Sequence, residues 1–182
     1  MQNINIYQIF TRLYGACSPA KNKVNGSIAD NGVAKFNDFT AEKLQRIKDY
    51  GFSHVWFTGV LEHATQTDYS KFGIRQDHPW IVKGKAGSPY AIKDYFDVDP
   101  DLAEDVSQRM AEFEALVART HKAGLKFVLD FVPNHVARGY GSDVIPEGFE
   151  DLGAEDDDEI SFSTHNNYYY CWGEPLHTEN FV

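Results

Sequence analysis

Phe127-Val128-Leu129-Asp130-Phe131-Val132-Pro133-Asn134-His135 is the stretch that decides how this chain is read. An apolar run that reads as a buried strand meets a carboxylate at Asp130, and Asn134 and His135 follow at once. A strand buried for packing alone has no use for a charge at its end, because an unpaired buried charge is expensive. Three polar groups grouped where a strand leaves the core point to a site at the carboxyl end of a parallel sheet.

Upstream, the pattern alternates. Ile4 to Phe10 reads as a first strand, and Gly15 to Gly32 as a loop rich in Gly, Asn and Lys. A helix follows. Thr40 is its expected N-cap, Phe39 and Leu44 form a hydrophobic staple, Leu44 and Ile47 face the core, and Gly51 is the stop. His54 to Val60 reads as the second strand. Leu61 to about Pro100 reads as a long irregular segment; its aromatics, Trp80, Tyr90, Tyr95 and Phe96, argue for order. The next helix is expected to start at a capping-box-like Asp101 and Glu104. It runs through Val106, Met110, Phe113, Leu116 and Val117 and ends at Gly124. Leu125 to Val132 is the third strand. Strand, helix, strand, helix, strand predicts an α/β fold with a parallel sheet and right-handed crossovers.

After His135 the character changes. Five residues, Gly139, Gly141, Pro146, Gly148 and Gly153, break up the chain, and Glu155 to Glu159 is a run of like charge. That run reads as a solvated loop or a cation site. The cluster Tyr168 to Trp172 reads as packing or as an outer platform, since spare Tyr and Trp suit stacking on sugar faces.

Composition narrows the function classes. A net charge of −10 over 182 residues argues against nucleic acid or an anionic membrane as partner. No apolar run reaches the roughly 18 residues of a membrane span. Cys17 and Cys171 have no metal-ligand or disulfide spacing and read as free thiols. Met1-Gln2-Asn3-Ile4 lacks the basic start and apolar stretch of a signal peptide, so a cytoplasmic location is expected.

The spacing Asp130-x-x-x-Asn134-His135 resembles the first signature segment of the α-amylase superfamily, glycoside hydrolase family 13, which ends the third strand of a (β/α)8 barrel. Tyr7-Gln8-Ile9-Phe10 resembles that family's opening strand and Val55 to Val60 its second. Gly87-Ser88-Pro89-Tyr90-Ala91-Ile92-Lys93-Asp94-Tyr95 resembles the loop after the second strand. The resemblance is close from Ile4 to about His135 and loose over the start of the family's irregular domain B insertion. It implies a partial TIM barrel at residues 1–135, the start of domain B at 136–182, and an α-glucan or maltooligosaccharide as substrate. Tyr90 would stack on the sugar ring at the cleavage point and His135 would hydrogen-bond its hydroxyls. Asp130 would hold the site by pairing with an arginine on a fourth strand. Asn134 matches a position that is a calcium ligand in many members, although one ligand is far short of six to eight. Read by themselves, Tyr90 is packing, His135 a satisfied structural histidine and Asn134 a turn cap.

The resemblance also marks what is missing. Retaining cleavage needs two carboxyls about 5–5.5 Å apart, and in this family they sit on the fourth and fifth strands. The barrel typically takes about 250 residues. The chain is therefore expected to be an N-terminal piece of a longer enzyme, inactive alone and prone to self-association through open sheet edges. Asp68, Asp77, Asp94, Asp97 and Asp99 lie in the irregular segment with no paired partner at a defined spacing, and are not candidates for the catalytic carboxyls. Two other readings stay open. One is a non-catalytic α-glucan-binding module. The other is a metal-dependent hydrolase using Asp130, Asn134 and His135, against which asparagine is a poor zinc ligand.

Overall fold

The alternation His54-Val55-Trp56-Phe57-Thr58 makes one face of a strand apolar, and the fold grows from that face. In the computed structural model, which describes residues 3–15 and 23–174, Val55 and Phe57 are fully buried. Their strand, β2 (His54–Thr58), pairs in parallel with β1 (Ile6–Phe10) on one side and β5 (Lys126–Leu129) on the other. The register sets Ile9 beside Phe57 and Val55 beside Phe127, so one face of all three strands is apolar.

Two helices cover that face. The helix α2 (Ala41–Asp49) begins where Thr40 accepts a hydrogen bond from the Lys43 N–H, and it buries Leu44 and Ile47. The helix α3 (Arg109–Lys122) buries Leu116 and Thr120. Phe36, Phe39, Leu44, Phe57, Leu102 and Leu116 form one core. Within it the Phe57 and Phe127 rings stack at 4.5 Å and Phe39 meets Phe57 edge-on at 5.2 Å. Burying a side chain of this size contributes about 1.5–3 kcal/mol each, so these aromatics are the main fastening of sheet to helices. The opposite face is more polar: Gln8 donates to the Thr58 hydroxyl at 3.0 Å, and Trp56 reaches Asp130. Three parallel strands in the order β1-β2-β5, with the helices on one face, make this an α/β fold of partial-barrel type.

Several elements differ from the sequence reading. The first strand starts at Ile6, the second stops at Thr58 and the third at Leu129; the third, expected to be buried, is half-exposed because it is an outer strand with a neighbour on one side only. The loop expected from Gly15 to Gly32 contains a short helix, α1 (Ile28–Asn31), closed by a capping box between Ser27 and Asp30. Cys17 lies outside the described residues. Asp101 and Glu104 do not start the long helix. Asp101 is buried in a 3-10 turn, Pro100–Leu102, and a second turn, Val106–Gln108, precedes α3. Glu112 makes the reach-back instead, accepting from the backbone N–H of Glu104 and of Asp105.

The largest difference is in the segment read as irregular. It contains an antiparallel pair, β3 (Leu61–His63) with β4 (Ile92–Val98), with register shifts on both sides of Glu62. Lys93, Asp94 and Asp97 inside β4 are buried as charges, which hid its strand character behind a polar composition.

By compactness the chain divides into Met1–Val144 and Ile145–Val182. Residues 137–143 belong with β4: the Ala137 N–H donates to Ile92 O, and the Gly141 N–H to Lys93 O. The second unit has no helix or strand among its described residues. It is held by the acidic run, since Asp156 accepts from the N–H groups of Asn167 and Tyr168 and from the Tyr170 hydroxyl. Burial raises the Asp156 carboxyl, but these three donors outweigh it and hold the group below its ordinary range. Cys171 in this unit is a free, exposed thiol.

Candidate functional site

Three strands end together, and the expected sugar-site residues leave from those ends. The Asp130 N–H donates to Phe57 O at 3.2 Å, extending the sheet by one bond past β5. Its carboxylate accepts from the Trp56 indole N–H at 3.2 Å. Asp130 and Trp56 lie on the sheet face opposite the helices, as period-2 alternation requires. The arginine expected to pair with Asp130 has no counterpart among the described residues; the indole N–H is its side-chain partner.

Tyr90 arrives through a glycine contact. Gly59 sits just past β2 with φ of +74°, and a Cβ there would lie 2.6 Å from Pro89 Cβ and 3.5 Å from the Phe10 ring. The absence of that Cβ lets Pro89 rest on the ends of β1 and β2. Tyr90 follows, 44% exposed, with its ring free of hydrogen-bond partners. Beyond β5, the Tyr95 hydroxyl donates to Val132 O, and the Tyr95 ring lies 5.6 Å from that of Phe131. These contacts fix the turn leading to Asn134 and His135, which are exposed, with Asn134 Nδ2 and His135 Nδ1 3.4 Å apart.

The structure thus brings Asp130 and the Tyr90 loop to the same end of the sheet. No hydrogen bond or ring contact joins Tyr90, Asp130 and His135 to one another. Asn134, the residue expected to bind calcium, offers a single carboxamide oxygen. The residue is exposed beside a histidine, and among the described residues no three His, Cys, Asp or Glu side chains gather to hold a metal.

Behind the Tyr90 loop lies a buried layer of charge that the sequence reading missed. The aspartates expected to be unpaired all have partners, Asp68 only the nearby Ser70 N–H. Lys93 Nζ lies 3.4 Å from both Glu62 Oε1 and Asp77 Oδ2 and donates to Arg75 O. Asp77 also accepts from the Thr65 N–H. Asp97 takes a forked pair from Arg109, and Asp94 accepts from the N–H groups of Phe96 and Asp143. His63 Nε2 lies 3.0 Å from Asp99 Oδ2, both side chains fully buried, while His63 Nδ1 faces Ala64 O at 3.1 Å. With an acceptor at each ring nitrogen the imidazolium is the form that fits. Burial alone would push the His63 pKa down, but the Asp99 charge and these bonds raise it overall.

Two acids in this layer are pushed up. Burial carries Glu62 to about 7, opposed by Lys93 and reinforced by the charges of Asp97 and Asp94. Burial, then the charge of Asp99, carries Asp101 to about 7; the Tyr69 hydroxyl bonds to it. No local signal marked them: Asp97 lies on β4, Asp99 caps the 3-10 turn that follows and Asp101 lies inside it.

This layer positions the loop. Gly87 has φ of +71°, and a Cβ there would lie 1.8 Å from Ala64 O, the carbonyl His63 faces. Arg12 Nη1 donates to Ala86 O and Gly87 O at 3.1 and 3.0 Å. The loop carrying Tyr90 is thus clamped between Arg12 and the His63–Ala64 turn. The buried carboxylates of the layer are enclosed among their own partners.

The parallel sheet thus carries an aromatic loop and an Asp-x-x-x-Asn-His turn at its strand ends. The family model "Alpha amylase, catalytic domain" matches residues 36–176, and the chain belongs to the α-amylase family. Maltase A1 of Drosophila melanogaster is 29% identical over 131 residues, covering 72% of this chain and 16% of that protein. The 1,4-alpha-glucan-branching enzyme of Emericella nidulans is 27% identical over 112 residues, covering 62% and 13%. Among solved structures, an alpha-amylase from Lactobacillus plantarum is 29% identical with a TM-score of 0.47, covering 76% of this chain and 24% of that one. The chain spans less than a fifth of the length of these two curated relatives.

Proposed function

We propose that this chain supplies part of the sugar-binding wall of an α-glucan-active glycosidase or transglycosidase that works with retention, and that it does not itself cleave. The observation that carries the reading is the seating of Pro89 on Gly59. It puts Tyr90 at the end of the sheet where Asp130 leaves β5. Tyr90 offers an exposed ring face for stacking on a sugar. His135 offers an exposed imidazole for hydroxyls. Asp130 is held by the Trp56 indole at the same end of the sheet.

Inactivity follows from chemistry. Retention requires a nucleophile and an acid/base about 5–5.5 Å apart on opposite sides of the glycosidic bond. The carboxylates of the β3–β4 layer are enclosed among their own partners. Asp130 is a single carboxylate already engaged by an indole. The open outer strands carry exposed Ile6 and Leu129, which supports self-association as a further part of this reading.

A reducing-end assay on maltooligosaccharides tests it, with Tyr90→Ala compared in a binding measurement. No turnover, together with binding that Tyr90→Ala abolishes, is the expected result. Turnover at the rate of a complete family member would overturn the inactive-wall reading, and binding unaffected by Tyr90→Ala would remove Tyr90 from it.

A further inference from the structure

The loop that carries Tyr90 has a second face. Lys83-Gly84-Lys85-Ala86-Gly87 bends around a cavity of about 240 Å³ that is also lined by Arg12 and Asn25. The carbonyls from Gly84 to Gly87 are occupied. Gly84 O and Lys85 O accept from Gln66, through its side chain at 3.4 Å and its backbone N–H at 3.0 Å, and Ala86 O and Gly87 O accept from Arg12. The N–H groups are not occupied: from Lys83 to Gly87, none has an acceptor among the described residues. Gly84 and Gly87 both have positive φ, +70° and +71°. Successive backbone N–H groups around left-handed residues form concavities that hold anions.

Side-chain charge points the same way. Lys83 and Lys85 are exposed and have no ion-pair partner among the described residues. Arg12 uses only Nη1, which leaves Nε and Nη2 to donate, and the Asn25 carboxamide is unpartnered among the described residues. No carboxylate lines the cavity. Asp30, on the short helix α1, is engaged by Ser27 and Lys23. In a chain of net charge −10, three cations and a row of open N–H groups around one cavity make a local reversal of sign.

We propose that this cavity binds a phosphate group, free or esterified to a saccharide. Guanidinium and backbone N–H groups suit tetrahedral oxyanions by direction, and the two lysines add point charge. The ester form is favoured by position, because Gly87 belongs to the segment that ends in Tyr90. That preference rests on the α-glucan reading of Tyr90, whereas the phosphate site itself does not.

The test is an amide NMR titration of the chain with sodium phosphate at constant ionic strength and pH 7.5. Saturable shifts confined to the Lys83–Gly87 amides and their neighbours are expected. A Lys83→Gln/Lys85→Gln double variant should weaken binding by about tenfold, while Lys122→Gln/Lys126→Gln leaves it unchanged. Both pairs are exposed, so dispersed spectra will report an intact fold. Glucose 6-phosphate and glucose form a second arm. Tighter binding of the ester than of inorganic phosphate assigns the ligand as a sugar phosphate, and equal binding assigns the free anion. Absence of saturable shifts, or equal weakening in the control variant, overturns the site. Phosphate binding without any response to maltooligosaccharides would sink the α-glucan reading and leave this site standing.

Discussion

Glu62→Gln should make the protein more stable at alkaline pH and remove part of its pH dependence. Glu62 is fully buried on β3, 3.4 Å from Lys93, and its pKa is raised from an ordinary 4.5 to about 7. The native state therefore binds its proton more tightly than the unfolded chain does. Between those two values stability falls as pH rises, because the native state holds more protons there. A tenfold difference in proton affinity corresponds to about 1.36 kcal/mol. Between pH 5 and pH 8 the Glu62 contribution amounts to a loss of about 2.5 kcal/mol. This is a net figure, since the attraction of Lys93 already opposes the effect of burial. The glutamine variant carries no proton to lose. Urea denaturation at pH 5, 6, 7 and 8 measures the outcome. Relative to the parent chain, the variant should gain about 2.5 kcal/mol across this range. Parallel pH profiles for the two proteins would refute the burial argument for Glu62.

The other clamps give sharper losses. Lys93→Met leaves Asp77 buried without its cation and should cost about 3–5 kcal/mol, read as a drop in urea midpoint at pH 7.5. His63→Gln strands fully buried Asp99 and should cost a similar amount, about 3–5 kcal/mol, checked by thermal melting. Gly87→Ala requires its new Cβ to escape Ala64 O, so the Tyr90 loop should move, seen as amide shifts across residues 86–91. Asp156→Asn should loosen the turns around Tyr168–Trp172. In the parent chain, the stability from Asp156 should be present above its unfolded pKa and lost as pH falls through its lowered folded value, followed by Trp172 fluorescence.

The readable part of the fold was the part whose residues obey one period. Thr40, Leu44 and Ile47 follow helical spacing, and Val55 and Phe57 follow strand alternation, so α2 and β2 were legible to within a residue or two. Asp130 stood out as a carboxylate ending an apolar run, but the run is not the buried strand that reading supposed: β5 is half-exposed, with Leu129 at 39%. β3 and β4 were not legible, because their buried positions are filled by Glu62, His63, Lys93, Asp94 and Asp97. Periodicity rules treat charge as a sign of solvent, whereas here the charged groups find partners distant in sequence: Asp97 pairs with Arg109, and Asp94 accepts from the Asp143 N–H. The start of α3 was misplaced for a related reason. Asp101 resembles a cap by composition but is a buried group bonded to Tyr69, while Glu112 does the reaching back. Positions that follow from long-range pairing cannot be read from local pattern.

The central claim is that the strand ends form a sugar-binding wall without cleavage chemistry, and a maltoheptaose titration followed by amide NMR tests it most directly. The predicted result is saturable shifts at Tyr90 and Ala91 and from Asp130 to His135, with the oligosaccharide recovered intact. Absence of saturable shifts at these residues, or recovery of shortened oligosaccharides, would contradict it.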